Sequence, residues 1–152
     1  MNKIVLILVG LFMFVFFGSS FSDPLYKIEG EIRGLTGEKD VFVYILTEKV
    51  WDQKEKEFPA QLVIPSSEVL NNQAHYAFNK EKGDYCIFVF EDIDNNKKVT
   101  HGLFGPAEPI GFYKSAKPFF GPPSSKDFKF TLDRNIESAD INLLYSKVHM
   151  KQ

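Results

Sequence analysis

The sequence predicts an all-β chain folded as an antiparallel β-sandwich of about seven strands. Three observations predict it. Several short segments alternate apolar and polar residues with a period of two, which puts one side of each on a core and the other in water. Two further segments are continuous apolar runs rich in Val, Ile and Phe, the pattern of strands covered on both faces. No stretch of the mature chain carries the 3.6-residue apolar period of a packed amphipathic helix. A closed barrel is the alternative.

Residues 1–22 stand outside that argument. Lys3 is followed by an apolar run from Ile4 to Phe17, broken only by Gly10, and then by Gly18, Ser19, Ser20, Phe21 and Ser22. The run is about 14 residues long, short of the roughly 20 that span hydrocarbon, and small residues follow it as signal peptidase requires. The expectation is a signal peptide over 1–22, cleaved after Ser20 or Ser22, and one sandwich domain over 23–152. The mature chain is then exported, periplasmic or extracellular, with no membrane span. No cysteine follows the run, which excludes a lipid anchor.

The strands follow in order. Tyr26, Ile28 and Ile32 alternate with Lys27, Glu29, Glu31 and Arg33, and Gly30 falls on the apolar side. Val41 to Leu46 and Cys86 to Phe90 are the continuous runs, read as central strands. Between them, Pro59 and Pro65 bracket a short strand at Gln61 to Ile64, and Ser67 to Asn71 suits a turn of helix. Tyr76 and Phe78 flank Ala77, and Lys82, Gly83 and Asp84 supply a turn into Tyr85, which reads as a hairpin. Phe128, Phe130 and Leu132, then Ile141, Leu143 and Tyr145, define two half-buried strands that suggest a closing hairpin. Asp92 to Ser125 holds five prolines and four glycines, too many for a long regular element.

Composition excludes several functions. A net charge of −2 and a pI near 5.9 do not suit a nucleic-acid partner, which needs a basic face to displace counterions. The single cysteine, Cys86, rules out an intrachain disulfide, a cysteine zinc cluster and a CxxC redox pair. Mid-strand and apolar in its setting, that thiol is expected to be inert.

Tyr85-Cys-Ile-Phe-Val-Phe-Glu-Asp-Ile-Asp-Asn-Asn96, then Gly105-Pro, Glu108-Pro-Ile-Gly-Phe112 and Phe119-Phe-Gly-Pro-Pro-Ser124, resemble in order the bacterial family catalogued as domain of unknown function 2141. Phe58-Pro59 and Ile141-Asn-Leu-Leu-Tyr145 fit the same series. The resemblance implies a secreted or periplasmic sandwich of transthyretin-like or immunoglobulin-like shape, with no reaction attached. The chain departs from the pattern at Lys97, where the family has a loop glycine, and at Thr100, where it has a closing Asp.

That acidic loop is the segment nearest to chemistry. Asp92, Asp94 and Asn96 follow the 1, 3, 5 spacing of a calcium loop, and a carbonyl near Lys98, the Thr100 hydroxyl, and water or Glu108 could complete an oxygen shell. Position 12 is Leu103 instead of Glu, so the loop is not an EF-hand. The simpler reading is a solvated loop whose Asp and Asn side chains bond their own backbone amides. His75, His101 and His149 lack zinc-site spacing, although His101 adjoins the loop. Glu91 and Glu108 could pair as glycosidase carboxylates only if folding set them about 5 to 9 Å apart. Trp51, Phe112, Tyr113 and Phe119 could form an aromatic platform for sugar or peptide, with packing as the competing role.

The function expected is a non-catalytic envelope module that binds a protein, peptide or glycan through its irregular loops. The alternative is a weakly calcium-binding or metal-dependent hydrolytic enzyme using Asp92, Asp94, His101 and Glu108. No cofactor is expected beyond weakly held calcium, and the oligomeric state stays open.

Overall fold

The computed structural model describes residues 23–51, 53, 59–102, 105–114 and 124–144. Residues 1–22, read above as a signal peptide, Phe119 and Tyr145, where the last expected strand ends, lie outside these. The elements run β1 (Tyr26–Arg33), β2 (Val41–Thr47), α1 (Glu48–Trp51), β3 (Leu62–Ile64), β4 (Gln73–Lys80), β5 (Gly83–Glu91), β6 (His101–Gly102), β7 (Gly105–Pro106), β8 (Ile110–Phe112), β9 (Phe130–Leu132) and β10 (Ile141–Asn142). Single 3₁₀ turns occupy Ser66–Glu68 and Ser125–Asp127.

Two sheets face each other across the core, as the alternating pattern requires. One has the order β10-β1-β4 and the other β3-β2-β5-β8, with β9 beside the first residues of β5; β6 and β7 form a small separate ladder. The central pair is β2 with β5, in register from Val41↔Glu91 to Thr47↔Tyr85, and both strands are largely buried. Among the described residues, pairing is antiparallel except along one side of β1, which runs parallel to β10 and to a bridge at Ile136.

Ile28 and Ile32 on β1, Val41, Val43 and Ile45 on β2, Tyr76 on β4, and Ile87 and Val89 on β5 meet between the sheets. Each such aliphatic side chain removed from water contributes about 1.5–3 kcal/mol. The opposite face of β2 and β5 is also covered. There Phe42 stacks on Phe90 at 5.1 Å, Phe88 meets Phe112 at 5.1 Å, and Phe112 meets Phe128 at 4.5 Å. This second apolar layer, with Cys86 inside it and Trp51 against it, gathers Phe42, Phe88, Phe90, Phe112 and Phe128 on one face. Cys86 is 1% exposed, as its mid-strand setting predicts.

Two expected hairpins are not hairpins. β4 belongs to one sheet and β5 to the other, so the Lys82–Gly83 turn carries the chain between sheets. β9 pairs with β5, whereas β10 pairs with β1, so the two C-terminal strands also lie in different sheets. After β10 the chain crosses back: Leu143 N donates to Arg33 O at 2.9 Å, and Leu144 exchanges backbone bonds with Ile110 at 2.7 and 3.2 Å. The sandwich is thereby joined along one side, a step toward the barrel alternative, while β3 and β4 remain as its two outer edges.

The joined side has its own electrostatic clamp. Asp140 Oδ1 accepts the Glu31 amide at 3.0 Å and Oδ2 meets Arg33 Nη2 at 2.9 Å. The amide bond, with Arg33 helping against the cost of burial, holds the Asp140 carboxyl below its ordinary value of 3.8. A carboxyl lowered by folding stabilises the fold fully above the unfolded value and loses that contribution as pH falls through the folded one. The stability difference between wild type and Asp140→Asn is therefore expected to be constant at neutral pH and to shrink below about pH 4, as measured by urea unfolding at a series of pH values.

Candidate functional site

The end of β5 brings two carboxylates to the same rim of the sandwich. Glu91 is fully buried and reaches across to the loop after β1. Its Oε1 accepts the Thr36 hydroxyl at 2.6 Å and the Gly37 amide at 3.1 Å, while the Thr36 amide lies 2.9 Å from Oε2. Gly37 has φ +78°, the left-handed conformation that turns its N–H inward and that glycine adopts without steric cost. Asp92, 3% exposed, is anchored by its amide to Asp40 O at 3.0 Å.

The acidic loop folds around Asp92. Its Oδ1 accepts the Asn96 amide at 3.1 Å and its Oδ2 the Lys97 amide at 3.0 Å. Asp94 Oδ2 takes the Asn96 side-chain amide at 2.8 Å and the Thr100 hydroxyl at 3.0 Å. Asn96 Oδ1 in turn accepts the Lys98 amide at 2.7 Å. These are the local side-chain to backbone bonds of the simpler sequence reading. Asn95 and Lys97 both take positive φ, +58° and +62°. The left-handed conformation at 97 gives the family pattern's glycine a physical reason, and Lys97 occupies it at a steric cost of about 1 kcal/mol.

Glu108 closes the site from the bend between β7 and β8. It is 2% exposed, and its Oε2 accepts the Thr100 amide at 2.6 Å. Burial pushes its carboxyl above the ordinary value, the Thr100 amide opposes this, and the charge of Asp94 adds to the rise. One oxygen from each of Asp92, Asp94 and Glu108 lies within 4.8 Å of the others. Two oxygens on one calcium ion, each at 2.3 to 2.6 Å, are at most about 5 Å apart, so the three fit a single hard cation. Tyr44 stands nearby: burial raises its phenol and the Asp92 charge raises it further.

Of the predicted residues, then, Asp92, Asp94, Asn96, Thr100 and Glu108 converge. Glu91 does not join them, since its oxygens are taken by Thr36 and Gly37. His75 is exposed on β4 beside Glu29, 3.4 Å away, far along the chain from the loop. The side chain of His101, and all of His149, lie outside the described residues. Trp51 and Phe112 come together at 6.0 Å, but edge to face and packed with Phe88 and Phe128 in the second apolar layer. Tyr113 is elsewhere, against Phe130 at 5.0 Å. Sequence reasoning missed Thr36, Gly37 and Asp40, which hold the rim. Gly34 and Gly37, both at positive φ, are the marks of that turn in the sequence.

The fold and the rim together define a small all-β sandwich with an acidic loop at one end. The family described as an uncharacterized protein conserved in bacteria (DUF2141) matches over residues 31–139. The chain belongs to that family, as the ordered motifs implied. No curated protein and no solved structure matches it. Among the described residues, no helix is long and apolar enough to cross a membrane.

Proposed function

We propose that this chain is an exported, non-catalytic module of the bacterial envelope that binds a protein, peptide or glycan through the loops at the ends of its sandwich. One observation carries the reading: each buried carboxylate at the rim already serves a neighbouring loop. Glu91 is bound to Thr36 and Gly37, Asp92 to Asn96 and Lys97, and Glu108 to Thr100. Groups committed in this way position loops and are poorly placed to move protons. Export rests on the short apolar run and the small residues after it. Intact-mass measurement of protein from fractionated cells is expected to give an N-terminus at Phe21 or Asp23 in the exported fraction. A membrane-bound species retaining Met1 would overturn cleavage and a soluble mature chain. A pull-down from envelope extract with the mature chain as bait is expected to retain a partner.

The convergence of Asp92, Asp94 and Glu108 within 4.8 Å favours a second reading, weak calcium binding at the acidic loop. Two lysines, 97 and 98, sit in the loop and reduce its negative potential, which places the affinity in the range of extracellular modules, about 10⁻⁴ to 10⁻³ M. At ten times the dissociation constant the ion would stabilise the fold by about 1.4 kcal/mol, a few degrees of melting temperature. Melting at 10 mM calcium against chelator is expected to show that shift in wild type and to lose it in Asp94→Ala. An equal shift in both would return the loop to a purely structural role.

A further inference from the structure

The backbone bonds of β1 reveal which groups of β4 are in use. Odd-numbered residues of β1 face the C-terminal segment: Lys27 O accepts from Ile136 N, Glu29 O from Ala139 N, and Arg33 O from Leu143 N. Its even-numbered residues therefore face β4, and by register so do Ala74, Tyr76 and Phe78 bond back toward β1. His75, Ala77 and Asn79 must turn their N–H and C=O groups the other way, and all three residues are exposed. Gln73 has the same parity, and it bonds on that outer side to Leu70 at 2.9 Å across the Asn71–Asn72 turn. Among the described residues nothing pairs with the edge beyond it.

Sheet edges left open in this way are normally blunted by shortness, proline, a bulge or an inward charge. The other outer edge fits that rule, since β3 has three residues and runs into Pro65. The β4 edge does not. It has eight residues, no proline, and an unbroken register with β1 from Tyr26↔Lys80 to Arg33↔Gln73.

We propose that this edge pairs with the same edge of a second copy of the chain, antiparallel about a two-fold axis through Ala77. Side chains keep to their faces only if odd residues meet odd residues, because a slip of one turns every side chain over. With Ala77 opposite itself, His75 meets Asn79 of the second copy and the reverse, so all the open backbone groups of 75, 77 and 79 are matched. Only a methyl group stands at the axis. Charge does not oppose this register: Asn79 meets His75 beside Lys27 and the second copy's Glu31, each already paired in its own copy, so no like charges become neighbours across the new seam. Glu29, in the row through the axis, stays paired with Lys27 at 2.7 Å. Leu70, 70% exposed and the most exposed large apolar side chain among the described residues, borders the end of the edge, where the second copy's chain leaves its β4. Such a contact is isologous and closes as a dimer.

Sedimentation velocity of the protein as the cell produces it, from about 1 to 200 µM, is expected to show a monomer giving way to a dimer. Ala77→Pro removes the central edge N–H without touching a bond to β1, and is expected to stay monomeric. Ala77→Lys and Ala77→Glu each set like charges face to face at the axis and are expected to associate about tenfold more weakly, while their equimolar mixture regains the dimer. If Ala77→Pro fails to fold, the charge pair decides. A wild type monomeric at 200 µM, a dimer indifferent to both charge variants, or a mixture no better than either alone would overturn the proposal.

Discussion

Glu91→Ala is expected to lower the free energy of unfolding by about 3–5 kcal/mol, a large share of what a domain of this size has in hand. The side chain is fully buried, yet its importance is not packing. Its two oxygens are the acceptors for the amides of Thr36 and Gly37 and for the Thr36 hydroxyl. Truncation leaves those donors without a partner, and each orphaned donor costs about 1–3 kcal/mol unless water can enter. Glu91→Gln separates charge from shape. It keeps one acceptor but points an NH₂ group at donors, so an intermediate loss is expected. Chemical unfolding of both variants checks the order. A loss below about 1 kcal/mol in Glu91→Ala would mean that the Thr36 loop rearranges freely and does not depend on this carboxylate.

Gly30→Ala is expected to cost about 3 kcal/mol or more, through crowding instead of lost bonds. Gly30 faces inward on β1, and the backbone of Ala139 passes directly over it. A β-carbon there would fall on the Ala139 carbonyl and come within 2.9 Å of its nitrogen. Backbone cannot swing aside as a side chain can. Ala139 is fixed from two directions, by its amide on Glu29 O at 2.9 Å and by its carbonyl, which accepts the Tyr76 hydroxyl. The expected readout is a drop in melting temperature larger than that of any alanine substitution on the exposed face of β4. An unchanged melting temperature would show that the 136–139 segment can lift from β1.

Both positions show what the sequence discloses and what it hides. The alternation of β1 and the unbroken runs of β2 and β5 are visible because burial of one face, or of both, imposes a local rule on adjacent residues. Gly30 could be placed on the inward face by the same rule. What passes over it could not, since Ala139 is brought there by pairing more than a hundred positions away in the chain. The misjudged hairpins have a related cause. Lys82 and Gly83 form a turn whether the next strand returns beside β4 or crosses to the other sheet, and only the competition among β1, β2 and β5 for partners decides. The acidic loop divides in the same way. The spacing of Asp92, Asp94 and Asn96 is local and legible, whereas Glu91 grips a loop 55 positions earlier. Trp51 looked like a platform residue because its neighbours are charged. Phe88, Phe112 and Phe128, which enclose it, come from three separate segments.

The parallel contact between β1 and the C-terminal segment has a mechanical consequence. The chain enters at Tyr26, at the start of β1, and leaves beyond Asn142, at the end of β10, and the two strands run the same way. A force drawing the two ends of the domain apart would slide one along the other. It would strain the bonds from Ile136 to Lys27, Ala139 to Glu29 and Leu143 to Arg33 together, in shear, instead of peeling them open one after another. Once the Leu144–Ile110 bonds nearer the exit give way, tension along the chain would meet that whole row of amides together, with Asp140 clasping Arg33 beside it.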